Sequence, residues 1–350
     1  MKAMILKEFR QMRRDRRTVA LMVGLPLLLL IIFGYAARFD VTEIDAAVVG
    51  PGADQATALL SEVFDVVELD PSGTEDDARD LLRNSEASIA LVAEPAGAKV
   101  LIDGTQLFVA QSALRRIPPE IESEVLFNPE LDTATVMVPS LIGLIMLFVG
   151  TVITSLGVVK EREQGTLEQL AVTPLRPVDV TIGKIAPYFL VAALDLVIVT
   201  VAGIWIFDVP FRGSFLALGA FGFVFLFVVL GLGVAISTVS QSQGEAIQLA
   251  IMTLLPQIML SGMIFPLESM APGVRWIGYL LSLTWFVIGM RGIFLKGSDA
   301  SVLALPLGIL VVMAIVVFGV ALIRFRRDLA PKQRDPVETS PAGDATPVPT

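Results

Sequence analysis

Long uncharged apolar runs alternate with short charged stretches along most of the chain, and this spacing predicts membrane-crossing helices. Thr18 to Ala37 carries no charge over about 20 residues, the length a helix needs to cross a hydrocarbon core. Further apolar runs predict spans at 136–159, 180–207, 215–239, 246–265 and 301–323. Pro266 to Trp285 is less apolar and holds Glu268, Pro272, Gly273 and Arg275, while Phe286 to Leu295 contains Arg291. Together they predict a re-entrant helical hairpin before the sixth span, because charged groups at the bilayer centre are costly. Residues 1–17 set Met4, Ile5, Leu6 and Phe9 among Lys2, Lys7, Arg10 and Arg13, a pattern for an amphipathic helix lying in the headgroup region. A cleaved signal peptide is the competing reading, but the apolar run exceeds the roughly 7 to 15 residues of a signal core.

Between Arg38 and Thr135 the period shortens. Strands are predicted at Ala46 to Val49, Val66 to Leu69, Ile89 to Val92 and Val100 to Ile102, with helices near Thr57 to Val63 and Asp76 to Leu82. Residues 38–135 therefore read as a small α/β domain between the first two spans, and residues 136–327 as the remaining five. The tail, 328–350, is rich in Pro, Ala, Thr and Asp and reads as disordered. The expected fold is an α-helical integral membrane protein with six spans. The basic N-terminal segment and Arg324, Arg326 and Arg327 put both termini in the cytoplasm and the α/β domain outside it.

Composition agrees: apolar residues make up 54% of the chain and the mean hydropathy is +0.74. The absence of Cys and His removes disulfides, thiolates and the commonest transition-metal ligands. The net charge of −9 reflects the acidic α/β segment and does not point to a nucleic-acid partner. No G-x-x-x-x-G-K-[ST] phosphate loop occurs, since Gly183-Lys184 is followed by Ile185. No internal repeat of the kind secondary transporters carry is visible either.

The charged island Lys160 to Pro174 interrupts the apolar pattern after the second span. Thr166 and Gln169 fit a capping box, and Pro174 limits the helix they start to about two turns, with Leu167, Leu170 and Ala171 on one face. A solvated loop is the plain reading of such a stretch. The run Glu161-Arg162-Glu163-Gln164-Gly165-Thr166-Leu167-Glu168-Gln169-Leu170, followed by Thr173-Pro174-Leu175-Arg176, nevertheless resembles the first cytoplasmic loop of ABC type-2 exporter permeases. Phe127-Asn128-Pro129-Glu130-Leu131, Ser261-Gly262-Met263-Ile264-Phe265-Pro266 and Arg291-Gly292-Ile293-Phe294-Leu295-Lys296-Gly297 are also similar to that family's patterns. The likeness extends to about Arg327.

The resemblance implies a permease of the bacterial cytoplasmic membrane that exports a hydrophobic or amphipathic cargo. It implies a coupling helix at 160–174, with Glu161, Arg162, Gly165, Thr166, Leu167 and Leu170 docking on a separate ATPase subunit. ATP would bind to that partner, and no cofactor to this chain. A second permease copy or a sister permease, membrane lipid and a periplasmic adaptor complete the implied partners. Two other classes compete: a membrane receptor or scaffold sensing through the outer domain, and an integral-membrane enzyme built on carboxylates. Asp195, deep in the third span, reads either as a transport-pathway carboxylate or as a helix-packing group bonded to Thr200 or to another span.

Overall fold

The computed structural model describes residues 44–57, 63–94, 97–164 and 177–329. The expected helix at 1–17, the first span at 18–37 and the tail from 330 onward lie outside the described residues. The α/β domain comprises β1 (Ile44–Val49), α1 (Ala53–Thr57), β2 (Phe64–Asp70), α2 (Glu75–Arg83), β3 (Ile89–Glu94), β4 (Gly97–Asp103), α3 (Leu107–Arg116) and β5 (Glu122–Leu126). The strands form one sheet in the order β2-β1-β3-β4-β5, parallel except for the β3–β4 pair.

The two-residue period of a strand explains why the central strands are apolar throughout. Ile44, Ala46 and Val48 face α1 and α3, which bury Ala53, Ala56, Val109, Ala110 and Ala113. Ala47 and Val49 face the other way, onto Ala78 and Leu82 of α2. The expected helix near Thr57 to Val63 falls mostly on residues 58–62, outside the described set, and α1 occupies Ala53–Thr57. Two elements went unpredicted. α3 starts without a side-chain cap, and β5 is a short edge strand on which only Leu126 is buried.

The bundle comprises α4 (Thr133–Glu163), α5 (Pro177–Ile206), α6 (Phe215–Val239), α7 (Gln243–Leu260), α8 (Pro272–Tyr279), α9 (Ser282–Arg291), a π-helical turn (Gly292–Lys296) and α10 (Ala300–Leu329). Among the described residues, four helices are long and apolar enough to cross a membrane: α4, α5, α6 and α10. α8 and the segment Ser282–Lys296 would make a fifth if they were one span, but they are bent by 79°. α7 falls short, because its 18 residues include Gln243, Glu245, Gln248, Pro256 and Gln257. It also ends at Leu260 and not at Phe265, since Gly262 takes a left-handed φ of 79° that stops the helix. α4, in contrast, outruns its predicted end and keeps Lys160 to Glu163 helical.

Lipid offers helices little apolar driving force for association, so close packing must supply it. α6 is the central post. A Cβ at Gly231 would lie 2.9 Å from the Phe318 backbone nitrogen of α10, and one at Gly233 would lie 2.9 Å from the Thr151 carbonyl of α4. Phe225 of α6 stacks on Phe286 of α9 at 4.3 Å between ring centroids. On the outside, α5 exposes Leu190, Leu194 and Ile198, and α10 exposes Leu305, Val312 and Ile315.

Within the domain, Glu75 of α2 and Glu124 of β5 share two cations. Arg79 Nη2 lies 2.7 Å from Glu75 and 2.8 Å from Glu124, while Lys99 Nζ lies 3.0 Å and 2.7 Å from the same pair. The hydrogen bonds from Arg79 and then Lys99 hold the Glu75 carboxyl below its ordinary range, and Lys99 foremost, with Arg79, does the same for Glu124. A lowered folded value means the contribution is fully present above the unfolded glutamate value of about 4.3 and is lost as pH falls through the folded values. Partial exposure of the four side chains keeps the effect small. Thermal unfolding of the purified chain from pH 7 to pH 3 should therefore show stability falling below about pH 4.3. The Glu75→Gln/Glu124→Gln variant should start lower and fall less steeply.

Candidate functional site

The bundle has two ends, one carrying the charged island and one carrying the α/β domain, and α4 runs between them. At the island end the last turn of α4 grips the connection between α6 and α7. Arg162 Nη1 donates to the carbonyls of Ser237 at 2.9 Å and Ser240 at 2.7 Å, filling acceptors that the C-terminus of α6 leaves open. The Glu163 carboxylate accepts from the Gln243 backbone N–H at 3.0 Å and from its side-chain amide at 2.5 Å. A negative charge at the N-terminus of α7 also suits the helix dipole. Ser242 caps α7 by accepting from the Glu245 N–H, and Glu245 accepts in turn from the Gln241 N–H.

The described part of the predicted coupling set thus comprises Glu161 and Arg162, both on the last turn of α4. Gly165, Thr166, Leu167 and Leu170 lie outside the described residues. Arg162 has a structural task that the sequence did not announce, and Glu163, not singled out beforehand, is its counterpart on the next helix.

Asp195 lies on α5, partly buried, with Oδ2 inaccessible and without a hydrogen-bond partner among the described residues. Thr200 Oγ1 is in the same condition, so the expected Asp195–Thr200 bond is not made. Positions five apart on a helix point in different directions, whereas only those three or four apart share a face. Among the described residues, no group of three Asp or Glu side chains is arranged to hold a metal ion.

At the domain end the α8–α9 hairpin takes its position from buried polar contacts. Gln257 Oε1 of α7 accepts from Ser282 Oγ at 3.1 Å and from the Leu283 N–H at 3.0 Å, capping α9, whose own N-cap residue Leu281 has no side chain to do so. Arg275 donates to the Leu267 and Glu268 carbonyls, and Arg291 donates to the Met263 carbonyl at 3.2 Å. Both ends of the hairpin therefore return to the domain end of the bundle.

Lys296 then joins the hairpin to the domain. Its ammonium donates to the Leu82 carbonyl at 2.9 Å and Ser85 Oγ at 2.7 Å, and meets Asp103 Oδ2 at 2.7 Å. The other Asp103 oxygen accepts from the Thr105 N–H and hydroxyl. Both side chains are almost wholly buried, 4% exposed for Lys296 and 0% for Asp103. Gly297 follows with φ 61°, a left-handed turn open to glycine at no steric cost, and Ser298 donates to the Arg83 carbonyl. Phe127 supplies a ring 5.7 Å from the ammonium, and the next residue, Asn128, fixes the start of α4 through two bonds with the Asp132 backbone. No spacing rule links Asp103 with Lys296, and neither was singled out from sequence as a pair.

Removing one partner of a buried pair leaves the other charge uncompensated, at a cost of about 3 to 5 kcal/mol. Asp103→Asn and Lys296→Met should each lower the thermal stability of the purified protein and expose the 44–126 domain to protease. The double variant should recover part of the loss, because no lone charge then remains buried.

The chain is similar over most of its length to the probable multidrug ABC transporter permease YbhS of Escherichia coli (strain K12), 27% identical over 365 residues that cover 94% of this chain and 97% of that protein. YbhR of the same strain, also described as a probable multidrug ABC transporter permease, is 29% identical over 361 residues, 93% of this chain and 97% of its own. The E. coli inner membrane transport permease YhhJ is 28% identical over 228 residues, 60% of this chain and 56% of that protein. Residues 16–323 match the model of the ABC-2 family transporter proteins, and the chain belongs to that family.

Proposed function

We propose that this chain is the membrane subunit of an ATP-driven exporter of the bacterial inner membrane, moving a hydrophobic or amphipathic cargo outward. Two copies, or this chain and a sister permease, would work with ATPase subunits that bind the ATP on the cytoplasmic side. The relatives described as multidrug permeases support the cargo class. In this reading the α/β domain stands outside the cytoplasm, open to a periplasmic adaptor, and the α8–α9 hairpin is re-entrant in the outer leaflet. The expected first span at 18–37 and α7 complete six crossings, with both termini inside. Trp205, Trp276 and Tyr279 are all exposed at the domain end of the bundle, which supports a membrane interface at that level.

The observation that carries the proposal is the grip of Arg162 and Glu163 on the α6–α7 connection. The island leaves α4 immediately after these residues, so a push delivered there is transmitted to three helices at once. Glu161, Arg162, Gly165, Thr166, Leu167 and Leu170 are the proposed coupling set, with the two leucines as apolar anchors. Asp195, with a buried oxygen that has no hydrogen-bond partner among the described residues, is proposed to face a cargo path or a partner subunit.

A carboxylate in place of an apolar anchor leaves an unpaired charge buried in an interface core, which is costly. Leu167→Asp/Leu170→Asp should therefore abolish cargo-stimulated ATP hydrolysis by the reconstituted complex while membrane insertion is retained. Undiminished stimulation would refute the docking role. The orientation has its own test, because the parent contains no cysteine. An impermeant thiol reagent applied to spheroplasts should label Ser72→Cys, at an exposed turn of the domain, and spare Gln241→Cys, exposed at the island end. Labelling in the reverse pattern would invert the topology.

A further inference from the structure

The domain and the hairpin enclose a cavity of about 360 Å³, within the range of small-ligand sites and large enough for a polar headgroup. Ser85, Ser88 and Gln106 line it from the domain, and Glu268 and Arg291 from the hairpin. Its charges are not all neutralised by one another. Lys296 is taken up by Asp103, Leu82 and Ser85, and Asp45 also lines the wall. Arg291 keeps a buried Nε without an acceptor, and Gln106 a buried Oε1 without a donor, among the described residues. Glu268 lies near enough to feel the charge of Arg291, yet the two form no ion pair within bonding distance.

The wall therefore presents one cation with an unused donor, the carboxylates of Glu268 and Asp45, and one unused amide oxygen. A purely anionic ligand would meet Glu268, and a purely cationic one would leave Arg291 unfilled. A ligand bearing both signs satisfies both groups. The rim decides between a soluble zwitterion and a membrane one. Ile288 of α9 and Leu305 of α10 line the cavity and are also exposed on the apolar outside of the bundle, so the cavity opens beside lipid.

We propose that this cavity holds the headgroup of a zwitterionic aminophospholipid, its phosphate on Arg291 and its ammonium on Glu268, with the acyl chains leaving over Ile288 and Leu305. The leaflet concerned, the outer one, rests on the orientation proposed above; the binding does not.

The test uses the full-length protein in nanodiscs of equal phosphatidylethanolamine and phosphatidylglycerol, with retained lipid counted by native mass spectrometry. The wild type should retain phosphatidylethanolamine over phosphatidylglycerol by about tenfold, what one charge-assisted hydrogen bond is worth. Glu268→Gln should erase that preference while still retaining lipid, and Arg291→Gln should lose both lipids. Ile288→Trp, at a partly exposed position on the rim, should block the rim and empty the site. Equal retention of the two lipids by the wild type, or undiminished retention by Ile288→Trp, would overturn the proposal even if Arg291→Gln fails to fold. Displacement of the lipid by equimolar soluble phosphoethanolamine would also overturn it, by assigning the site to a soluble zwitterion. No ATPase takes part, so a failed export assay and a failed lipid count remain separate results.

Discussion

A buried ammonium needs partners around it, and Lys296 finds them in three places: acceptors at the end of α2 and just after it, and the Asp103 carboxylate as counter-charge at the end of β4. No single element could supply that set. The ammonium is satisfied only when the π-helical turn, α2 and β4 are seated together, so the contact specifies a relative position far more sharply than apolar packing would. Because an isolated buried charge is so costly, the domain and the hairpin have little freedom to separate without disrupting the pair. Arg291, one helical stretch earlier, and the cavity behind it inherit their geometry from this anchor.

The second mechanical element is α4. Its 31 residues make a rod of about 46 Å at 1.5 Å per residue, long enough to cross the hydrocarbon core and emerge on both sides. Its first turn is capped by Asp132 and tied through Asn128 to the loop after β4, close to the Lys296 anchor. Its last turn clamps α6 and α7 through Arg162 and Glu163. One uninterrupted helix thus joins the junction with the domain to the junction with the island. Close contacts at Gly231 and Gly233 hold α6 against α10 and α4, so displacement of either end would engage the whole bundle instead of a single helix.

The polar groups inside the bundle follow the same logic. Gln257 is unfavourable within an apolar helix, yet it caps α9 where Leu281 cannot. Asp195, like Thr154 and Thr200, keeps a buried oxygen that nothing among the described residues fills. Its helix is also one of the two least buried of the long apolar helices, which sets it where another surface could reach it.

What the chain determines by itself is whatever depends on local period and composition. The uncharged runs mark α4, α5, α6 and α10 because helical backbone in lipid must satisfy its own hydrogen bonds, and only long apolar segments can do so there. The strands β1, β3 and β4 are legible because both faces of a covered sheet must be apolar, and α2 is legible from its acidic first turn. Charge within the hairpin marked a break in the apolar pattern, and its two helices are bent by 79°. The island was readable as a charged break in the apolar pattern, but the contacts of Arg162 and Glu163 were not, since their partners stand at the end of α6 and the start of α7, some 75 to 80 positions later. The Asp103–Lys296 pair, Gln257 as a cap for α9, and the cavity between domain and hairpin belong to the tertiary structure alone. Each is a buried polar contact between distant segments, and the demand that every buried polar group find a partner says that such contacts must exist without saying which residues will make them.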